Sequence, residues 1–294
     1  MFTALFSPLP VMALLLTGEI APSQTSAAPA SPTTSPAPPK TVSFPFYSSG
    51  TRMLVMMRVN GGTPAPVVFD TGTNGNVLDT LYAEQIKVPN VGPSQSVDGA
   101  TGHPIPGYTT QLTGITLGGV AIDDGPATVM EYKRRDEVGV FGPNSFPGKL
   151  TEIDFPRSRI RILPDTAETR PSEPGHPHVD DLPAISITLP GMTVDALLDT
   201  GNNTDLTLPL SLAASLPLKS PPVVVGVTRS AGGSQKAYEA QIIGEVHIGP
   251  VVLQSPVVTF NEGGLPNVGM PVLRQFRLLI DHTNQLTWIE PAAQ

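Results

Sequence analysis

Two carboxylates stand in matching settings, Asp70-Thr71-Gly72 and Asp199-Thr200-Gly201, 129 positions apart. Each triplet ends a short apolar run, Val67-Val68-Phe69 and Ala196-Leu197-Leu198. A lone Asp-Thr-Gly is an ordinary turn sequence; two in matching surroundings form a chemical pattern. Carboxyls held close together cannot both ionise, so such a pair shares one proton. One member can then take a proton from water while the other protonates a carbonyl oxygen, which hydrolyses an acyl bond without a covalent intermediate. Which member is the base belongs to the coupled pair and stays open at this level. Gly72 and Gly201 allow the tight loop that brings backbone N–H groups onto the carboxylates.

The surroundings repeat as well. Gly99-Ala100-Thr101-Gly102 follows the first Asp as Ser230-Ala231-Gly232-Gly233 follows the second. Ile115-Thr116-Leu117-Gly118-Gly119-Val120 is matched by Val246-His247-Ile248-Gly249-Pro250-Val251, and Phe141-Gly142 by Val268-Gly269. Ile153-Asp154-Phe155 with Arg159–Ile162 returns as Ile280-Asp281-His282 with Gln285–Trp288. The triplet, Gly turn, apolar–Gly pair and paired strands shift by 129, 131, 127 and 127 positions, so one fold unit is present twice. Two such units facing each other would bring the two carboxylates together.

Those units must be built largely of strands. Period-two alternation and β-branched content predict strands over Met53–Val59, Gln111–Leu117, Val223–Val227, Gln241–Ile248 and Val251–Phe260. Helical signals are few. Thr80–Ile86 and Leu210–Leu216 follow the two triplets, and Asn144–Leu150 and Pro271–Phe276 follow the two apolar–Gly pairs. The expected class is all-β with a few short helices.

Over nearly all of residues 41–294 these motifs resemble the pepsin and retropepsin aspartic proteases. The resemblance implies a bilobal acid-protease fold, with two pseudo-twofold-related β lobes of the six-stranded type. Each lobe would supply one Asp loop, a hairpin flap above it and an apolar–Gly segment beside it. It implies Asp70 and Asp199 as the catalytic pair, with Thr71 and Thr200 hydrogen-bonding across the axis. The next residue in the family carries a hydroxyl that donates to the outer carboxylate oxygen. Thr73 fits that role; Asn202 departs from it, although its amide can donate. Substrate contacts would come from the flaps, Asp98, Gly99, Ala100 and Gly102 in one and Ala231, Gly232 and Gly233 in the other. Pepsin-type enzymes place a Tyr one residue before the flap-tip Gly, where this chain has Asp98. Two Gly-rich tips look more like the retropepsin arrangement. The expectation is a fused, retropepsin-like endopeptidase that cleaves extended peptide or protein substrates. It would need no cofactor or metal and would act as a monomer, since both half-sites lie on one chain.

Composition narrows the alternatives. The net charge of −8 offers no basic stripe to displace phosphate counterions, which argues against a nucleic-acid partner. Lys133-Arg134-Arg135 is followed at once by Asp136-Glu137 and reads as a solvated loop. Cysteine is absent, which removes disulfides, thiolate catalysis and Cys-ligated metals. His176-Pro177-His178 reads as a plain surface pair, and no H-E-x-x-H occurs. Asp154 and Asp281 read as turn or strand-edge residues. Asn202-Asn203-Thr204 matches a glycosylation sequon, but a glycan there would block the cleft.

Along the chain, residues 1–28 read as a signal peptide, with an apolar run Val11–Leu16 too short to span a bilayer and a small-residue site at Ser26-Ala27-Ala28. The usual positive segment is missing, because no Lys or Arg precedes Lys40. A Pro/Ala/Ser/Thr tract over 29–40 reads as a spacer that cannot bury enough apolar surface to fold. One lobe is expected over 41–164, a Pro-rich connector over 165–181 and the second lobe over 182–294. This organisation predicts a periplasmic or secreted protein without a transmembrane anchor. Two other readings remain. A catalytically inactive peptide binder on the same fold would suit Asn202, but gains nothing from burying two like charges. A β-sandwich adhesion or carbohydrate module would explain the strands but not the doubled landmarks.

Overall fold

Strand Arg52–Val59 buries Met53, Val55 and Met57 and turns the intervening side chains outward, the alternation of a strand with one covered face. The same pattern recurs around both triplets and produces two large sheets in the computed structural model, which describes residues 40–50, 52–132 and 136–292. The leader and spacer expected over 1–28 and 29–40, apart from Lys40, lie outside the described residues, as does Lys133-Arg134-Arg135.

The first sheet has ten strands. Nine run in spatial order Gly92–Val97, Pro104–Leu112, Gly125–Met130, Val77–Asp79, Gly139–Phe141, Ala65–Phe69, Arg52–Val59, Ile115–Leu117 and Val120–Ala121, and Tyr47–Ser49 adds to Arg52–Val59. The second has nine: Val223–Ser230, Gly233–Gln241, Val257–Asn261, Leu206–Pro209, Asn267–Gly269, Met192–Asp199, Ala184–Leu189, Glu245–Ile248 and Val251–Gln254. The two orders correspond strand for strand. A third, six-stranded sheet joins the halves in the order Val42–Pro45, Arg159–Pro164, Lys149–Asp154, Phe276–Asp281, Leu286–Pro291 and His176–Pro177. Its middle is the antiparallel pair Lys149–Asp154 and Phe276–Asp281, three strands coming from each side. The chain is thus an all-β, two-lobed protein, with lobe sheets larger than the six-stranded type expected.

Three of the predicted strands are broken. The expected Gln111–Leu117 strand ends at Leu112 and restarts at Ile115, because Gly114 takes φ +62° and a Cβ there would fall 2.2 Å from Asn60 Oδ1. Gln241–Ile248 is interrupted around Gly244 at φ +110°, and Val251–Phe260 at Ser255-Pro256, where proline has no N–H for the ladder. Thr80–Ile86 is helical as expected, capped by Asp79, whose carboxylate accepts from Leu81 and Tyr82 N–H, and closed by Lys87 in the left-handed region. Leu210–Ser215 is a 3-10 helix and Met270–Leu273 a single α turn. Asn144–Leu150 is not a helix. A 3-10 turn spans Pro143–Ser145, and Lys149–Asp154 is a strand with Leu150 and Ile153 fully buried. Pairing in the shared sheet overrides the weak local preference.

Candidate active site

Strand Ala65–Phe69 delivers Asp70 and pairs in parallel with Gly139–Phe141, with Val68 opposite Val140 and Phe69 opposite Phe141. The Asp70 N–H closes this junction on Phe141 O at 2.7 Å. Strand Met192–Asp199 delivers Asp199 and pairs in the same way with Asn267–Gly269, with Leu197 opposite Asn267 and Asp199 opposite Gly269. Each apolar–Gly segment ends where backbone is crowded. A Cβ on Gly142 would lie 2.4 Å from Asp70 O, and one on Gly269 would lie 2.1 Å from Thr204 O.

Thr71 and Thr200, both fully buried, tie the two loops together. Thr71 N–H donates to Thr200 Oγ1 at 3.0 Å, and Thr200 N–H to Thr71 Oγ1 at 3.0 Å. Each hydroxyl in turn donates to a carbonyl of the opposite strand, Thr71 to Leu198 O and Thr200 to Phe69 O. Four reciprocal bonds across buried backbone leave little freedom in the separation of the two triplets.

The carboxyls of Asp70 and Asp199 face one another: a Cβ on Gly201 would lie 2.4 Å from Asp70 Oδ2 and 3.1 Å from Asp199 Oδ1. Gly72 N–H donates to Asp70 Oδ1 at 2.7 Å and Gly201 N–H to Asp199 Oδ1 at 2.7 Å. Glycine is required at both positions. A Cβ on Gly72 would meet the Asp199 carboxyl at 2.7 Å, and one on Gly201 would meet Asp70 Oδ2 at 2.4 Å. Burial, and then the negative charge of Asp199, push the Asp70 pKa well above the ordinary carboxylate value; the Gly72 and Gly201 amides only partly counter this. The pair can therefore hold one proton at a pH where free aspartate has lost its own.

Two expected hydrogen bonds are replaced by others. Thr73 Oγ1 donates to Gly75 O at 2.8 Å rather than to Asp70. Asn202 reaches Asp199 through its backbone N–H, at 3.1 Å to Oδ1, while its side-chain amide points away to Asn267 Oδ1 at 2.7 Å. The outer oxygen, Asp199 Oδ2, accepts instead from Asn267 Nδ2 at 2.7 Å. Asn267 was missed in the sequence. Its signal was a polar residue at the position where the first half carries Val140.

The two flaps are the hairpins Gly92–Val97/Pro104–Leu112 and Val223–Ser230/Gly233–Gln241, and their tips meet. Asp98, nearly buried, holds its own turn by accepting from Ala100 N–H, Thr101 N–H and Thr101 Oγ1. It also reaches the other tip, accepting from Ser230 Oγ at 2.8 Å and Gly232 N–H at 2.8 Å. A Cβ on Gly232 would clash with Asp98 Cβ at 2.4 Å. Gln235 Nε2 bonds Ala100 O, and Ala231 packs on the cluster Val77, Ile105, Met130 and Val140. Gly99 leads into the turn closed by Gly102 N–H on Asp98 O, and Gly102 and Gly233 take positive φ values of 70° and 139°. Burial alone would raise the Asp98 pKa, but the donors from Gly232, Thr101 and Ser230 outweigh it and hold the carboxylate below its usual range.

The remaining acidic and histidine candidates sit in structural roles. Asp154 ends its strand and accepts from Arg157, and Asp281 accepts from Asn284 and from Arg170 at 2.7 Å. The His178 ring lies beside that of His282, centroids 6.4 Å apart and tilted by 46°, and His176 pairs with Thr287 in the shared sheet. Among the described residues no group of three or more His, Cys, Asp or Glu could hold a metal ion. Nor is any of their helices long and apolar enough to cross a membrane.

A search of curated proteins found no match. A family model described as aspartyl protease matches residues 55–144 and 185–272, which together make up more than half of the chain. Each matched region spans one triplet, one flap and one apolar–Gly segment of the repeated lobes. The chain belongs to the aspartyl protease family, in the pepsin and retropepsin clan.

Proposed function

We propose that the protein is an aspartic endopeptidase that cleaves extended polypeptides with the Asp70–Asp199 pair. The observation that carries this reading is the contact between the two carboxyls, held by the reciprocal threonine bonds. In the singly protonated state, the ionised member removes a proton from a water molecule as its oxygen attacks the peptide carbonyl carbon. The protonated member gives its proton to the carbonyl oxygen, forming a neutral gem-diol. A proton then passes to the amide nitrogen, the C–N bond breaks, and the pair returns with one proton. No covalent enzyme intermediate forms.

The inactive-binder alternative drew on Asn202, but Asp199 retains a donor on its outer oxygen through Asn267, which removes that argument. Export to the periplasm or medium is part of the proposal and rests on the apolar run and small-residue site in residues 1–28. The deciding experiment is cleavage of a denatured protein and of a quenched peptide library across pH. Wild type is compared with Asp70→Asn and Asp199→Asn. Acid-shifted, bell-shaped cleavage lost in both variants is expected. Cleavage retained in either variant, or abolished in wild type by a chelator, would overturn the two-carboxylate reading.

A further inference from the structure

We propose that Asn267 is a positioning residue for the carboxylate pair: a one-way chain of donors through Thr204, Asn202 and Asn267 holds Asp199 as the ionised member and leaves Asp70 to carry the shared proton. The inference rests on the endopeptidase reading and deepens it by assigning Asp199 as the base toward water and Asp70 as the acid toward the carbonyl oxygen.

The direction of the chain follows from its first link. Thr204 N–H can only donate, and it bonds Asn202 Oδ1 at 3.0 Å. That fixes the Asn202 amide with its nitrogen toward Asn267 Oδ1 at 2.7 Å, while Thr207 Oγ1 lies 3.3 Å from the same nitrogen. Asn267 therefore has only its NH2 left for Asp199 Oδ2, at 2.7 Å. Reversing the Asn202 amide would set oxygen against Asn267 Oδ1, and reversing the Asn267 amide would set oxygen against Asp199 Oδ2; each reversal forfeits two of the three links. The strand pairing supplies the geometry, because Asn267 stands directly opposite Leu197, two residues before the carboxylate.

The other half has no such chain. Val140 stands where Asn267 does and has no donor, and the Thr73 hydroxyl is spent on Gly75 O. Asp199 thus accepts from Gly201 N–H, Asn202 N–H and Asn267 Nδ2, whereas Asp70 accepts from Gly72 and Gly201 N–H and meets the Asp199 carboxyl. More donors favour the charged form. The raised Asp70 pKa agrees with the same asymmetry. Asp70 is the titratable group that faces Asp199. The flanking loop and the strands Leu206–Pro209 and Asn267–Gly269 bring Asn202, Thr204, Thr207 and Asn267 to this side, and Asp205 in the loop is exposed.

The test follows the two carboxyls individually by carbon NMR of protein labelled at aspartate Cγ. In wild type Asp199 should ionise first and Asp70 last. Asn267→Val, which copies the first half, should move the Asp199 titration upward by about 1–2 pH units. The acid limb of the pH–rate profile should move with it; kcat should fall while KM stays, because Asn267 touches only the outer oxygen. Asn202→Ala leaves the donor in place but frees its orientation, so a smaller shift of the same sign is expected. Asn202→Thr added to Asn267→Val puts a hydroxyl where the family carries one and should bring the titration back down.

Asp70 ionising first in wild type would overturn the inference. So would an unchanged Asp199 titration in Asn267→Val, or in Asn202→Ala should Asn267→Val not fold. A double variant titrating no lower than Asn267→Val would also overturn it, since the shift would not then come from a lost donor. A wild type that cleaves no peptide but shows the shifts refutes the endopeptidase reading and leaves the positioning role standing.

Discussion

Asp70 keeps its proton at a pH where an unfolded aspartate has given it up, and this couples chemistry to stability. Its folded pKa lies well above the ordinary value of 3.8. Between those two values the folded state binds more protons than the unfolded one, so stability is fully present below the unfolded pKa and declines as pH rises toward the folded one. Asp70→Asn removes that loss. The variant should melt with wild type at pH 3 and above it at pH 7, while turnover falls by about 10²–10⁴-fold. Thermal melts across pH check the first and peptide cleavage the second; a variant less stable at pH 7 would contradict this electrostatic account. Gly201→Ala should cost about 1–3 kcal/mol, read by denaturant unfolding, because the new methyl meets Asp70 Oδ2. At this scale the triplets were legible because both type and spacing repeat. Asn267 was not, because its role arises from a parallel strand pairing that brings it beside Asp199 from 68 residues away.

The flaps and short helices show how far local pattern carries. Thr80–Ile86 formed as read because Asp79 caps it and Lys87 ends it, which are sequence-local causes. Asn144–Leu150 did not, because Leu150 and Ile153 are claimed by the sheet shared between lobes. The flap turns were legible from their glycines, but the bond between their tips was not, since Asp98 meets Ser230 and Gly232 only in the folded chain. Asp98→Ala should free the amides of Thr101 and Gly232. Their hydrogen exchange should quicken by about tenfold or more, as expected for hydrogen bonds to a charged acceptor. The Asp98 pKa is lowered, so its contribution is present above the unfolded value of 3.8 and is lost only as pH falls through the folded one. Protection of those amides in wild type should persist in mild acid and vanish at lower pH. Equal exchange in wild type and variant would show that the tips are held by something else.

The duplication was legible at the level of the molecule because four landmarks kept nearly the same offset, and the two lobe sheets repeat that order strand for strand. The shared sheet was not foreseen as such, although its strands were half visible in the Asp154 and Asp281 segments. It has a consequence for assembly. Lys149–Asp154 finds its partner in Phe276–Asp281 of the same chain, so the edge that an isolated half would expose is already paired. Arg170, in the connector, adds an ion pair to Asp165 and another to the buried Asp281. Both halves of the site lie on one chain, so the expectation is a protein that acts as a monomer. Specific activity should stay constant when the protein is diluted from micromolar to nanomolar, and sedimentation over that range should give one species of 30.8 kDa less any removed leader. An enzyme assembled from two separate halves would instead lose activity with dilution and regain it on concentration. That behaviour would mean the cleft needs a second copy of the chain.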